Sequence, residues 1–192
     1  RQRCHWYSCA QPSATDMGRV SYDFSGKSVL VTGASRGIGF AVAKGFAQSG
    51  ANVAILSSSP SIVDAAAALE PNGAVTALQA DVTKREQIVS ALSDIGRIDV
   101  LVNNAGLEKI TELDDPDDAV EDTFARIIDI NVNGTFLMTR HALPKMRSGG
   151  RIIVTASIWS RTAVAQFSAY VASKHANLGF MRSIAHELGP RG

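Results

Sequence analysis

Two short stretches carry residue types that do chemistry. In "SAYVASKHA" (168–176) Tyr170 and Lys174 stand four positions apart, a spacing that stacks side chains on one helix face about 5–6 Å apart at Cβ. A phenol beside an ammonium is half of a proton-transfer site, and an ordinary amphipathic helix displays the same pair. In "TGASRGIG" (32–39) glycines crowd the junction between an apolar run and a helical pattern. Gly33 lets the backbone turn tightly. Gly37 and Gly39 remove side chains where a pyrophosphate would approach and where helix and strand must pack closely. The free N–H groups that open the helix then face the phosphate.

The elements that must position these residues follow from the patterning. Continuous apolar, β-branched runs predict strands at 28–33, 52–57, 73–82, 98–106 and 150–157. Helical periodicity falls between them, at 37–50, 61–70 and 84–96. A long helical stretch follows over 117–147, interrupted near 131–134, and a last helix covers 167–189. Gly50 suits a C-terminal cap and Ser61 an N-cap. Thr83 and Glu86 have capping-box spacing. Strand–helix alternation with near-continuous apolar strands implies a parallel sheet covered on both faces. Right-handed crossovers make it a doubly wound, Rossmann-like α/β fold.

The bulk properties exclude several classes. The chain has 192 residues, enough for one domain, with 45% hydrophobic and 19% charged residues and a net charge of +1. That balance points to neither nucleic acid nor a membrane surface, and no apolar run reaches the roughly 18 residues of a spanning helix. Cys4, His5 and Cys9 lie in the N-terminal tail with no second ligand pair, so no metal centre and no disulfide framework is expected. Residues 1–20 read as a disordered tail, a leader or an expression remnant, and 21–192 as the dinucleotide-binding catalytic domain. A cytoplasmic location is expected, or an organellar one if the tail is a leader. The acidic run "ELDDPDDAVED" (112–122) lacks the glycine and terminal glutamate of a calcium loop and reads as a solvated helix start.

The glycine turn has the form T-G-x-x-x-G-x-G, and further marks follow in order. They are Asp81–Val82, "NNAG" (103–106), Asn131, Ser157 and Y-x-x-x-K at 170–174. This set resembles the short-chain dehydrogenase/reductase family. The resemblance implies a sheet ordered 3-2-1-4-5, with five of about seven strands present and the outer edge of strand 151–157 unpaired. A C-terminally incomplete enzyme is therefore expected. It also implies hydride transfer between a nicotinamide and a carbonyl or secondary alcohol. The substrate is a 3-oxoacyl thioester, a sugar or polyol, or another small alcohol. The alternative is a truncated protein that binds cofactor without turnover.

On that resemblance Tyr170 is the proton donor and acceptor. The Lys174 cation and an oxidised nicotinamide ring favour its phenolate, and Lys174 also holds the nicotinamide ribose. Ser157 hydrogen-bonds the substrate oxygen, and Asn131 holds a water that relays protons from Lys174. Gly33, Ser35, Arg36, Gly37, Ile38 and Gly39 form the cofactor turn, Asp81 and Val82 flank the adenine, and Asn104, Ala105 and Gly106 lie against the cofactor. After the second strand, "ILSSSP" (55–60) has no acid to bind a ribose 2′-OH. Ser58 and Arg36 can instead take a 2′-phosphate, so NADP(H) is expected over NAD(H). Trp159 and Arg161 replace small residues near the substrate and are expected to line its pocket, Arg161 favouring an anion. The long helical stretch and the last helix imply a homodimer or homotetramer.

Overall fold

The computed structural model describes residues 21–192, so the expectations for the 1–20 tail lie outside the described residues. Five parallel strands form one sheet: β1 (Ser28–Thr32), β2 (Asn52–Ser57), β3 (Val75–Gln79), β4 (Ile98–Asn103) and β5 (Met146–Val154). Their order is β3-β2-β1-β4-β5. The order reverses direction at β1, and in such sheets ligands bind where two crossovers diverge beyond the carboxyl ends of the strands.

The strands β1, β2 and β4 are mostly apolar because both of their faces are covered, whereas no residue of β3 or β5 is fully buried. Successive side chains of a strand point to opposite faces. Val29 and Val31 of β1 enter one buried cluster with α1 (Gly37–Gln48) and α2 (Ile62–Leu69), through Ala43, Ala47, Ile62 and Leu69. Leu30, between them, enters the opposite cluster with α3 (Arg85–Leu92) and α5 (Gly134–Ala142), through Ile88, Leu92 and Met138. Each such buried aliphatic side chain contributes about 1.5–3 kcal/mol.

The remaining elements hold the chemistry. α4 (Ala119–Ile128) and α5 are joined by a wide turn at Asp129–Asn133, and α6 (Ser168–Leu188) carries Tyr170 and Lys174. The interruption expected in the long helical stretch is this π-turn, a feature common at functional sites. Among the described residues no helix is long and apolar enough to cross a membrane.

Several local expectations change. The capping box does not form: Thr83 turns its amide and hydroxyl to Asp81 Oδ1 at 2.9 and 2.8 Å, and α3 starts after Lys84 without a side-chain cap. Ser61 precedes α2, but its hydroxyl pairs with Ser59 at 2.7 Å instead of capping. Gly189 continues in right-handed helical conformation, and the helix tightens there into a 3₁₀ turn. β5 is shifted toward the N-terminus of its predicted span, because Met146 pairs with Ile98 and Ser157 is drawn into a turn. Among the described residues the outer edge of β5 has no pairing strand, and Ile153 of β5 is 45% exposed.

One buried hydroxyl joins the ends of β1 and β4. Thr32 Oγ1 accepts hydrogen bonds from the amides of Asn104 and Ala105, each at 3.0 Å. Replacing Thr32 by Val leaves two amides unpaired and is expected to cost about 2 kcal/mol or more in urea unfolding. Thr32→Ser keeps the acceptor and is expected to lose less. A Thr32→Val loss no larger than that of Thr32→Ser would contradict the weight placed on the hydroxyl.

Candidate active site

The turn after β1 and the turn after β4 lie in contact. Gly33 has φ +64, and a Cβ added to it would stand 2.7 Å from Ala105 Cα. At Gly39 an added Cβ would stand 2.4 Å from the Gly33 carbonyl oxygen. Asn104 ties the pair together, its Nδ2 donating to the carbonyls of Thr32 and Gly33 at 3.2 Å each. Only a side-chain-free backbone reaches this packing. Gly37 differs: its φ is +61, and a Cβ there meets nothing within 4 Å. That position faces open space at the start of α1.

The space is a cleft of about 610 Å³ running along the carboxyl edge of the sheet. At one end it is lined by Gly33, Ser35, Arg36, Gly37 and Ile38, with Ser57, Ser58, Ser59 and Ser61 beside them. Asp81, Val82, Asn104, Ala105 and Gly106 line its middle, and Tyr170 and Lys174 its far end. Gly39 is buried and lies outside the lining, so its part is packing, not contact with a cofactor. Asn131, Ser157, Trp159 and Arg161 also lie outside it.

At the far end, Lys174 is buried and its Nζ donates to the Thr155 carbonyl at 2.8 Å. The ammonium sits 5.4 Å from the centre of the Tyr170 ring. Burial pushes the Lys174 ammonium below its ordinary value, against the Glu108 carboxylate, which supports the charge. Burial pushes the Tyr170 phenol up. The Ser157 hydroxyl works against that shift and Glu108 adds to it. The expected phenolate draws on both Lys174 and an oxidised nicotinamide ring; burial of the phenol opposes it.

Ser157 caps a short turn, accepting the Trp159 amide at 3.2 Å while its own amide donates to Ser160 at 3.1 Å. Its hydroxyl proton is directed to the Tyr170 oxygen, whose anion it favours. Trp159 does not open toward the cleft. It packs edge-on against Tyr170 at 5.8 Å and against Phe167 at 5.4 Å. Arg161 is exposed. Neither residue lines the cleft: the indole packs against the Tyr170 ring, and Arg161 is exposed.

Asn131 is fully buried in the π-turn. Its Oδ1 accepts the Leu107 amide at 2.7 Å, and its Nδ2 donates to the Leu107 carbonyl and to Ser173 Oγ, each at 2.9 Å. Ser173 Oγ in turn donates to the Tyr170 carbonyl at 2.7 Å. The chain Leu107–Asn131–Ser173–Tyr170 thus locks the segment after β4 to the helix that carries the phenol. A further tie follows at Thr111, whose amide donates to the Gln166 carbonyl at 2.7 Å. Gln166 holds φ +71, a strained value for a residue with a side chain. At the opposite wall Asp81 Oδ2 accepts from Arg126 at 3.2 Å. Burial works to raise Asp81, but Thr83 and Arg126 outweigh it and hold the carboxyl below its usual range.

Thr32, Thr155, Glu108 and Arg126 were not singled out from the sequence. Only Thr32 carried a signal, as the first residue of the glycine motif. The others reach the cleft from positions that no spacing rule marks.

Comparison with known proteins agrees with this architecture. The short chain dehydrogenase family pattern matches residues 27–192. The chain belongs to the short-chain dehydrogenase/reductase family. Among curated relatives, it is 36% identical over 173 residues to the cyclic-di-GMP-binding biofilm dispersal mediator protein of Escherichia coli, covering 88% of this chain and 70% of that one. Among solved structures, a short chain dehydrogenase from Burkholderia cenocepacia in complex with NADP shares 36% identity and a TM-score of 0.79, covering 88% of this chain and 71% of that one. Carveol dehydrogenase from Mycobacterium avium in complex with NAD shares 30% identity and a TM-score of 0.79, covering 89% and 69%. The chain spans 62% to 70% of the length of the curated relatives it matches.

The Asn131 clamp has a pH signature. Asn131→Asp can still accept the Leu107 amide but loses the donors to Leu107 and Ser173. A loss of about 2–3 kcal/mol is expected at neutral pH. Burial raises the new carboxyl, and its protonated form regains one donor. The penalty is therefore expected to shrink as pH falls through that raised value, read as the Tm difference from wild type at pH 8 and pH 5. A pH-independent difference would contradict the clamp.

Proposed function

We propose that the chain is an NADP(H)-dependent oxidoreductase that interconverts a carbonyl and a secondary alcohol, with Tyr170 moving the proton. The observation that carries this reading is one continuous cleft with a phosphate-sized glycine cradle at one end and the Tyr170–Lys174 pair at the other. The lining fits a dinucleotide. Gly37 leaves room for a pyrophosphate at the opening of α1, and Asp81, Val82, Asn104, Ala105 and Gly106 supply the middle wall. Arg36 and Ser58 stand where a 2′-phosphate would be held. The one carboxylate of the middle wall, Asp81, is already paired with Arg126. When bound, the nicotinamide gives a hydride to the carbonyl carbon in reduction or takes one from the alcohol carbon in oxidation.

The chain's own groups do the rest. Ser157 donates a hydrogen bond to the substrate oxygen, keeping its proton, and stabilises the charge that develops there. Tyr170, kept protonated at neutral pH, gives its proton to that oxygen as the alkoxide forms. The direction that suits a protonated phenol at neutral pH is carbonyl reduction. Lys174 stabilises the phenolate that this step leaves behind, and it reaches the ribose side of the cleft. Asn131 keeps the Leu107 segment in register with Tyr170; the water relay expected for it would involve its backbone, whose carbonyl accepts from Thr135 at 2.7 Å. The candidate substrates remain a 3-oxoacyl thioester, a sugar or polyol, or a small ketone.

The test is a panel of these substrates with NADPH and NADH. Turnover is expected with NADPH, at least tenfold above NADH in kcat/KM. Tyr170→Phe is expected to lower kcat by about 100-fold or more while cofactor binding persists. Equal use of both cofactors would overturn the NADP preference. Cofactor binding with no turnover by any substrate would favour a binding protein without catalysis.

We also propose a homodimer or homotetramer formed through α4, α5 and α6. Phe124 and Phe136 lie 40% and 47% exposed on that face, and Phe136 packs edge-on against Phe180 at 6.3 Å. Exposed aromatic groups of this kind mark interfaces. Sedimentation is expected to show a dimer or larger species that Phe136→Glu dissociates. A monomeric wild type at micromolar concentration would contradict this.

A further inference from the structure

The substrate end of the cleft holds a carboxylate that no step above uses. Glu108 lines the cleft with Tyr170 and Lys174. It is exposed, and among the described residues it has no hydrogen-bond or salt-bridge partner. Its backbone is nevertheless fixed. The preceding residue, Leu107, is gripped at both amide and carbonyl by Asn131. Three residues further on, Thr111 is bonded to Gln166, Ser168 and Ala169 at the start of α6. A free acceptor is therefore presented from an anchored segment beside the phenol. It shares the cleft wall with Tyr170 and Lys174, favouring the ammonium and opposing the phenolate.

The charges an arriving substrate meets are set by exposure. The Lys174 ammonium is buried and spent on Thr155. Arg161, the cation expected to attract an anion, is exposed and outside the cleft lining. The accessible charge at this end is the Glu108 carboxylate, which accepts hydrogen bonds and donates none. A substrate carboxylate or phosphate would meet like charge. A substrate ammonium would lie near the Lys174 cation. A neutral hydroxyl satisfies Glu108 without either conflict.

We propose that Glu108 determines specificity by accepting a hydrogen bond from a second hydroxyl of the substrate, so that the site takes neutral diols and polyols, or their hydroxyketones, over anionic alcohols. This rests on the oxidoreductase reading and narrows its substrate class.

The experiment reads binding apart from turnover. The protein saturated with NADPH, which cannot take a hydride from an alcohol, is titrated by calorimetry with three matched ligands: a vicinal diol, the mono-alcohol lacking its second hydroxyl, and the 2-hydroxy acid. The diol is expected to bind about tenfold tighter than the mono-alcohol, as for a hydrogen bond to a charged group, and the hydroxy acid weakest. Glu108→Ala is expected to bring diol and mono-alcohol within twofold. Glu108→Gln, which keeps an acceptor and loses the charge, is expected to retain part of the diol preference and strengthen hydroxy-acid binding about tenfold. An undiminished diol preference in Glu108→Ala, a hydroxy acid that binds wild type as tightly as the diol, or no binding of any of the three overturns the assignment. The expected binding pattern without hydride transfer to any partner would support Glu108 and defeat the oxidoreductase reading instead.

Discussion

The Thr32 hydroxyl, buried where β1 and β4 end, is the interaction on which the site depends. It receives two amides from the turn after β4 and thereby sets that turn against the glycine turn after β1. The contact is so close that Gly33 and Gly39 admit no Cβ. The gain is a cleft floor made of backbone at the switch point of the sheet, where Gly37 keeps the opening of α1 clear of side chains. A looser junction would leave the start of α1 and the segment after β4 free to move relative to one another. The two ends of the cleft would then lose their common frame.

The chemistry at the far end follows from burial more than from pair attraction. Two ionisable groups are removed from water side by side, and each is pushed toward its neutral form. For Tyr170 this means a retained proton. For Lys174 it means an ammonium that needs an acceptor, which the Thr155 carbonyl provides at 2.8 Å. Glu108 pulls the two groups in the same direction, favouring the ammonium and opposing the phenolate. The phenol is thus poised as a donor, while a cation nearby limits the cost of the anion it becomes. One carboxylate therefore touches both the proton chemistry and the class of substrate admitted.

Much of this was legible in the sequence, for physical reasons. Strands buried on both faces must be apolar throughout, so β1, β2 and β4 stood out as unbroken runs. The glycines at 33, 37 and 39 are required where backbones meet or phosphates approach, so their spacing carried the cleft with it. Tyr170, Lys174 and Ser157 were singled out because local spacing and a resemblance pointed to the same residues, and the first two line the cleft. The remainder depends on contacts between residues far apart in the chain. The grip of Asn131 on Leu107 spans 24 positions and the bond of Lys174 to Thr155 spans 19, and no local periodicity reports either. The capping-box expectation failed because Asp81, two residues before Thr83, competes for the same hydroxyl. Trp159 and Arg161 were placed in the pocket on size and sequence proximity alone. The turn capped by Ser157 packs the indole against Tyr170 and leaves Arg161 exposed, outside the cleft lining.

The most direct measurement follows a label through the proposed reaction. A hydroxyketone is incubated with the protein and NADPH carrying deuterium at both positions of the nicotinamide C4, and the product is examined by mass spectrometry and NMR. The account predicts one deuterium, located on the newly formed carbinol carbon, with a solvent-derived proton on its oxygen. Unreduced ketone, or reduced product without that deuterium, from folded protein that binds NADPH would contradict it.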